Sequence, residues 1–316
     1  MSMEESTLWR KNLPLITKGK CKGCPTCAGY GCKDELPGMG GLGSGESFIN
    51  NVISWQSLYQ NLVSSNKKLP DISNLKIGLA PVTGVDENMG SPNGLDEKQF
   101  LSQLIESALK AGCDISIGDG TPDYKLLYGI EGLKKFNAKG NVFIKPYEDK
   151  KIFKRIEWAS EVANYIGIDI DAASIVTMAN KASLEQKSLS SLRLIKKQLN
   201  KNGIPFVLKG IHTLAMVELV KELKPDVAYV SNHGGRVTQN CKGIGFFLKE
   251  NSSIIKANSG DLWVDSGLRE REDLLVAYYY GATSTFTGRM AIQYVGAFGV
   301  DGIKMMLKHQ YRLDNL

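Results

Sequence analysis

The segment 231–236 reads Ser-Asn-His-Gly-Gly-Arg and combines a candidate base with a fixed cation. The imidazole of His233 has an ordinary pKa of about 6.5, so it can accept a proton at neutral pH. Arg236 carries a planar guanidinium that can grip a carboxylate with two hydrogen bonds, which a lysine cannot do. The two glycines between them let the backbone approach a ligand closely. This combination suits proton removal from a substrate that carries a carboxylate.

Other polar side chains also stand at the ends of short apolar runs. They are Lys145, Asp169, Asp171, Lys209, Asp265 and Arg289. Lys209 ends the run Pro-Phe-Val-Leu-Lys, where an ammonium among apolar neighbours needs a partner. Two glycine turns that carry an arginine, at 267–269 and 288–289, are typical of phosphate sites. We therefore expect an anion site near the end of the chain.

Eight predicted strands would position these residues. They are Lys76–Pro81, Asp114–Ile117, Asn141–Lys145, Ile166–Ile170, Pro205–Lys209, Asp226–Ser231, Leu262–Asp265 and Ser284–Thr287. Segments of helical period lie between them: Asp96–Ala111, Ile152–Ala163, Leu184–Leu199, Leu214–Leu223 and Arg271–Tyr280, whereas Gly243–Asn258 is ambiguous. This alternation predicts a parallel eight-stranded (β/α)8 TIM barrel, whose chemistry gathers at the carboxyl ends of the strands.

The alternative fold is an open doubly wound sheet. Such a sheet normally carries a G-x-G-x-x-G turn after its first strand, and the segment 81–84, Pro-Val-Thr-Gly, does not fit that pattern. The sequence therefore favours a barrel over residues 75–316. Residues 1–74 are expected to form an irregular extension rich in cysteine and glycine.

Four cysteines cluster in that extension. Cys21, Cys24, Cys27 and Cys32 could ligate an iron–sulfur cluster in the ferredoxin manner or a zinc ion, and the alternative is a set of free thiols on a mobile arm. The glycine-rich stretch 37–45 lacks the lysine and hydroxyl of a P-loop, which argues against nucleoside triphosphate binding.

Composition excludes several function classes. The net charge is +6, but the lysines are spread over many predicted helices, so we expect no nucleic-acid partner. No apolar stretch approaches the roughly 20 residues of a membrane span. The N-terminus carries charges throughout and lacks an export signal, so we expect a cytoplasmic location.

Four motifs together resemble the FMN-dependent family that oxidises 2-hydroxy acids, which includes glycolate oxidase, lactate oxidase and flavocytochrome-type lactate dehydrogenases. The motifs are Val207–Ile211, Val230–Arg236, Val264–Arg269 and Thr287–Arg289. The likeness covers residues 205–310 and weakens over 75–204, where it depends on Ala80–Gly84 and Ile168–Asp171. It implies bound FMN, oxidation of an L-2-hydroxy acid to a 2-oxo acid by hydride transfer to flavin N5, and a homo-oligomer.

The resemblance also implies roles for individual residues. His233 would be the base, Arg236 would bind the substrate carboxylate, and Lys209 would lie beside the N1–C2=O edge of the flavin. Asp171 would orient His233, with Asp169 as the rival for that role, whereas His212 and His309 are expected to be structural. The residues expected to bind FMN are Pro81, Thr83, Lys209, Ser231, Asp265, Gly267, Arg269, Gly288 and Arg289.

The sequence departs from the family pattern near the substrate. Lys145 or Pro146 stands where a tyrosine is expected, with Tyr147 as a candidate substitute, and Ala172–Met178 lacks the second arginine. Asp119 follows the second strand, where its charge would alter the flavin. Two alternatives therefore accompany the oxidation hypothesis: an FMN-dependent isomerase resembling the type 2 isopentenyl-diphosphate enzyme, and a non-enzymatic flavin or metal redox carrier. A cluster in the extension would pass electrons to a partner protein.

Overall fold

The computed structural model describes residues 2–5, 45–86, 94–175, 183–237 and 241–313. Its strands are β1 Lys76–Leu79, β2 Ser116–Gly118, β3 Gly140–Ile144, β4 Ala163–Asp169, β5 Phe206–Ile211, β6 Val227–Val230, β7 Asp261–Val264 and β8 Ser284–Thr287. They pair in the order β1-β8-β7-β6-β5-β4-β3-β2, and each pair is parallel. Parallel bridges Gly78–Asp114 and Val82–Ile117 join the two ends of this sheet. The predicted (β/α)8 barrel is confirmed, and the open sheet is wrong.

Helices surround the barrel. They are α1 Gly45–Ser64, α2 Glu97–Lys110, α3 Tyr124–Lys135, α4 Asp149–Ala159, α5 Leu189–Lys201, α6 Leu214–Leu223, α7 Ile244–Ala257, α8 Arg271–Tyr279, α9 Arg289–Phe298 and α10 Gly302–His309. The local signals explain α2 well. Asp96 accepts a hydrogen bond from the backbone N–H of Gln99, whose side chain binds back to Asp96, and this capping box starts the helix. Gly112, at φ +66°, follows its end.

Several helix boundaries differ from the sequence prediction. The ambiguous segment 243–258 is the helix α7, and α4 ends at Ala159 because β4 already begins at Ala163. Helix α3 was not predicted, since Gly129 and Gly132 weaken its helical signal. Both glycines are packing residues: a Cβ at Gly129 would lie 2.9 Å from Ile117, and one at Gly132 would lie 2.6 Å from Ile105.

Aromatic side chains fill the inside of the barrel. Tyr229, Trp263 and Phe286 pack against one another with ring centroids 5.0–5.9 Å apart. Phe286 leaves no room for a side chain on the neighbouring strand β1, where an ideal Cβ on Gly78 would lie 2.6 Å from its ring. This aromatic layer blocks the lumen, so any ligand must bind above it, at the carboxyl ends of the strands.

Helix α1 lies within the segment 1–74 and was not predicted. Its buried residues Phe48, Val52, Trp55 and Leu62 recur at helical spacing, and the helix packs against α7 and α8. The four-cysteine motif and most of the glycine-rich stretch lie outside the described residues. Within the described ranges, none of the helices combines the length and apolar character that crossing a bilayer requires.

Candidate active site

A solvent-open cavity lies at the carboxyl ends of the strands, directly above Phe286 of the aromatic layer. Most of the residues singled out from the sequence line it. These are Pro81, Thr83, Lys209, His233, Arg236, Asp265, Gly267, Arg269, Gly288 and Arg289. Asp171 and Ser231 are buried behind the wall, where Asp171 contacts His233 and the Ser231 hydroxyl accepts from Lys209 Nζ at 3.2 Å. His212 and His309 do not line this cavity.

Residues behind the cavity wall fix the position of His233. It follows β6 with a left-handed backbone at φ +54°, a conformation that non-glycine residues adopt mainly where the surroundings enforce it. Its Nδ1 lies 2.8 Å from Asp171 Oδ2, and its backbone N–H donates to Ser231 Oγ at 3.2 Å. Asp171 Oδ2 therefore lies within hydrogen-bond distance of Nδ1, and this contact constrains the orientation of the ring.

Gly210 provides the space that Asp171 occupies. It lies at a register shift between β5 and β6 with φ +102°, and an ideal Cβ there would lie 2.6 Å from Asp171 Cγ. A glycine is therefore required after Lys209 both for the backbone angle and for the carboxylate beside it.

We expect Gly210→Ala to displace Asp171 and to lower stability by roughly 1–3 kcal/mol, because the new methyl meets the carboxylate in a strained backbone. Gly203→Ala is the matched control, since Gly203 has φ +71° but nothing within 4 Å of its ideal Cβ. Urea denaturation measures the free energy of unfolding of both variants. The loss in Gly203→Ala reports backbone strain alone, and any additional loss in Gly210→Ala reports steric crowding. Equal losses in the two variants would contradict the steric role of Gly210.

Asp169 is the hub of a buried charge cluster. Its carboxylate lies 2.7 Å from Lys145 Nζ, 3.0 Å from Lys209 Nζ and 2.8 Å from His233 Nε2. Burial opposes its charge, but His233, Lys145 and Lys209 together hold the pKa of Asp169 well below its usual range. Burial likewise opposes the charge of Lys209, yet Asp169, Asp265 and Asp171 raise its pKa. Asp169 and Lys209 are therefore both ionised at neutral pH.

Asp169, Asp171 and His233 also have a spacing that could hold a metal ion. Two ammonium groups, those of Lys145 and Lys209, already contact Asp169 and supply the positive charge that a metal would bring. The donor set therefore fits proton chemistry better than metal binding.

Arg236 presents an unsatisfied donor at the cavity. Among the described residues its Nε is buried and has no hydrogen-bond partner. Burial lowers the pKa of Arg236, although the guanidinium stays protonated at neutral pH. Because a buried donor without a partner is costly, a bound carboxylate that accepts a hydrogen bond from this N–H would remove that cost.

The end of the cavity that Gly288 and Arg289 line suits a phosphate. Gly288 precedes helix α9 and Arg289 is its first residue, so backbone N–H groups of the first turn face this end. The Arg269 guanidinium lies 5.2 Å from the ring centroid of Phe48, and that of Arg289 lies 4.2 Å from it. Nε of Arg269 is buried and lacks a hydrogen-bond partner in the part of the chain that the structure describes.

Helix α1 anchors the turns that carry the site. Asn51 and Asn232 exchange side-chain hydrogen bonds at 2.8 and 3.0 Å, which fixes the residue before His233. Trp55 Nε1 donates to Ser266 O at 2.9 Å, and Gly267, at φ +87°, leaves room for Asn51. Sequence reasoning missed these contributions because it assigned α1 to the irregular extension, although its apolar spacing was a detectable signal.

The departures from the family pattern also have defined positions. Lys145 lines the cavity, whereas Tyr147 is buried, does not line it, and has its hydroxyl 3.2 Å from Thr121 Oγ1. Asp119 reaches the cavity wall, but Arg155 Nε donates to its Oδ2 at 2.8 Å. Tyr147 therefore lies behind Thr121 and not in the cavity wall, and the charge of Asp119 is paired.

Comparisons with known proteins identify the family and the fold of this chain. The profile of the family described as FMN-dependent dehydrogenase matches residues 129–311, more than half of the chain. 2-Hydroxyacid oxidase 2 of Rattus norvegicus is 32% identical over 127 residues, which are 40% of this chain and 34% of that protein. L-lactate dehydrogenase of Haemophilus influenzae (strain PittEE) is 27% identical over 227 residues, 67% of this chain and 57% of the relative. The chain thus matches about a third to just over half of the length of these relatives.

Solved structures share the fold. Mandelate oxidase with 3,3-difluoro-2-hydroxy-3-phenylpropionic acid superposes with a TM-score of 0.64 at 17% identity. The superposition covers 98% of this chain and 91% of the other. At this identity the likeness establishes the barrel and its extent rather than the chemistry.

Proposed function

Because the chain belongs to the FMN-dependent dehydrogenase family, we propose that it oxidises a 2-hydroxy acid to the 2-oxo acid with FMN as its cofactor. The observation that carries this proposal is the presence in one cavity of His233, backed by Asp171 at 2.8 Å, and of Arg236, whose buried Nε has no hydrogen-bond partner among the described residues. A base and a carboxylate-binding cation are the two protein groups that this oxidation requires.

The cavity has the donors that FMN needs. The first turn of α9, together with Arg269 and Arg289, would hold the phosphate, and Asp265 would accept from the ribityl hydroxyls. Lys209, charged at the edge of the aromatic layer, would hold the flavin ring together with Pro81 and Thr83. The buried, unpartnered Nε of Arg269 supports this assignment, since it leaves a donor for an anion. Bound FMN supplies the acceptor for the α-hydrogen and its electron pair, at N5 of the ring.

The protein groups then have separate tasks. Arg236 holds the carboxylate of the substrate and so orients its hydroxyl towards His233. His233 Nε2 takes the hydroxyl proton as the O–H bond breaks and a new N–H bond forms. Asp171 keeps the proton on Nδ1 and stabilises the imidazolium that results. Lys209 remains protonated and offsets negative charge that develops on the cofactor side.

The test is an anaerobic visible spectrum of the FMN-loaded protein before and after addition of hydroxy acids such as L-lactate, glycolate and mandelate. We expect the flavin absorbance to bleach with at least one of them. The acid that lacks the hydroxyl, propionate in place of lactate, should leave the spectrum unchanged. If dithionite reduces the flavin but none of the hydroxy acids does, this result would contradict the proposal and favour a redox carrier.

A further inference from the structure

Two groups of opposite charge contact the nitrogen of His233 that does not face Asp171. Lys145 Nζ lies 3.2 Å from Nε2, and Asp169 Oδ2 lies 2.8 Å from it. The ammonium and the carboxylate are themselves 2.7 Å apart. Their side chains are 11% and 3% exposed, so water does not separate the three groups effectively.

The two contacts suit different protonation states of the ring. An ammonium group can only donate, so Lys145 is a partner for Nε2 when that nitrogen is unprotonated. An ionised carboxylate can only accept, so Asp169 is a partner for Nε2 once it carries a proton. Both states of the nitrogen therefore find a partner without movement of the barrel backbone.

Given the proposed role of His233 as the base, we propose that Lys145 and Asp169 form a positioning pair that exchanges partners at Nε2 during proton transfer. Lys145 donates to the unprotonated nitrogen until the substrate hydroxyl displaces it. Asp169 then contacts the imidazolium that has taken the hydroxyl proton. The proton stays on Nε2, and the step requires no reactant beyond the substrate.

Asp169 is suited to this task because a second lysine also binds its carboxylate. Lys209 Nζ donates to its other oxygen, Oδ1, at 3.0 Å, so its position does not depend on Lys145. His233, Lys145 and Lys209 together hold the pKa of Asp169 well below its usual range despite burial, so the carboxylate stays ionised beside the imidazolium. It stabilises the proton on Nε2 without removing it.

Other charged groups near His233 are common to every variant proposed below. They are Asp171 after β4, Lys209 in β5, Arg236 in the same loop, Asp265 after β7 and Arg289 at the start of α9. Differences between variants therefore report on the loss of Lys145 or of Asp169, the latter together with its contact to Lys209.

The test is a ¹³C-histidine NMR titration of the FMN-loaded holoprotein. The chain has three histidines, so His233→Gln identifies the relevant signal. Asp169→Asn should lower the pKa of His233 by roughly one unit or more, because a carboxylate that favours the imidazolium is lost. Lys145→Met should raise that pKa by a similar amount, since an opposing cation is lost. The double variant should return towards the native value, and Lys145→Arg should stay near it.

The pH dependence of flavin reduction is the second readout, and its acid limb should move in the same direction as the NMR pKa. If the pKa of His233 shifts in the same direction in both single variants, or shifts in neither, the proposed exchange of partners at Nε2 is wrong. Opposite NMR shifts in a protein that no hydroxy acid reduces would support the pair and reject the proposed oxidation. If Asp169→Asn does not fold, the pKa of His233 in Lys145→Met still tests the proposal. Lys145 lies at the cavity surface, so we expect this variant to fold.

Discussion

Replacing His233 with glutamine is expected to slow anaerobic flavin reduction by about 10²–10⁴-fold, the usual contribution of a positioned general base. The amide fills a similar volume but cannot take the hydroxyl proton. FMN binding should be largely retained, because the phosphate end of the cavity, at Arg269 and Arg289, is built from other turns. The measurement is stopped-flow reduction of the FMN-loaded variant at saturating hydroxy acid.

His309→Gln is the control for this variant. His309 lies in α10, and its Nε2 is 3.4 Å from Glu5 Oε2, so its ring is also paired with a carboxylate but does not line the cavity. Its reduction rate should match that of the native protein. A His233→Gln protein that binds FMN and is reduced at the native rate would remove His233 from the chemistry and leave the cavity without an assigned base.

The strands and the wall of the site could be predicted because they depend on local patterns. Most of the strands are short apolar runs that end in a polar residue or are followed at once by one, and parallel pairing brings those ends together whatever the helices do. Residues such as Lys209, Asp265 and Arg289 could therefore be assigned to one cavity before any distance was known.

The remaining features depend on contacts between distant parts of the chain. Asn51 meets Asn232 across 181 positions, and nothing in the local sequence of either indicates the other. Lys145 was recognised as a departure, but its contact with Asp169 follows from the register of β3 against β4, which a sequence pattern does not specify. Gly129 and Gly132 weakened the helical signal although they are required for packing.

Arg155 gives the clearest example of a distant contact with a large expected effect. It is fully buried on α4, and its guanidinium bridges Asp119 at 2.8 Å and Asp123 at 2.5 Å. Burial raises the pKa of Asp119, although Arg155 opposes that shift. Arg155→Met should lower the free energy of unfolding by about 3–5 kcal/mol, because it leaves a buried carboxylate unpaired. Urea denaturation of the variant measures this loss.

Two further variants separate the causes of that loss. Asp123→Asn removes the half-exposed partner, 47% accessible, and should cost no more than about 1 kcal/mol. Asp119→Asn combined with Arg155→Met should recover much of the stability, since no buried charge remains unpaired. Asp119 Oδ2 also accepts from the backbone N–H of Lys145 at 3.3 Å, so Arg155→Met should slow flavin reduction as well. A double variant no more stable than Arg155→Met would show that the guanidinium contributes through packing on Tyr147 rather than through charge.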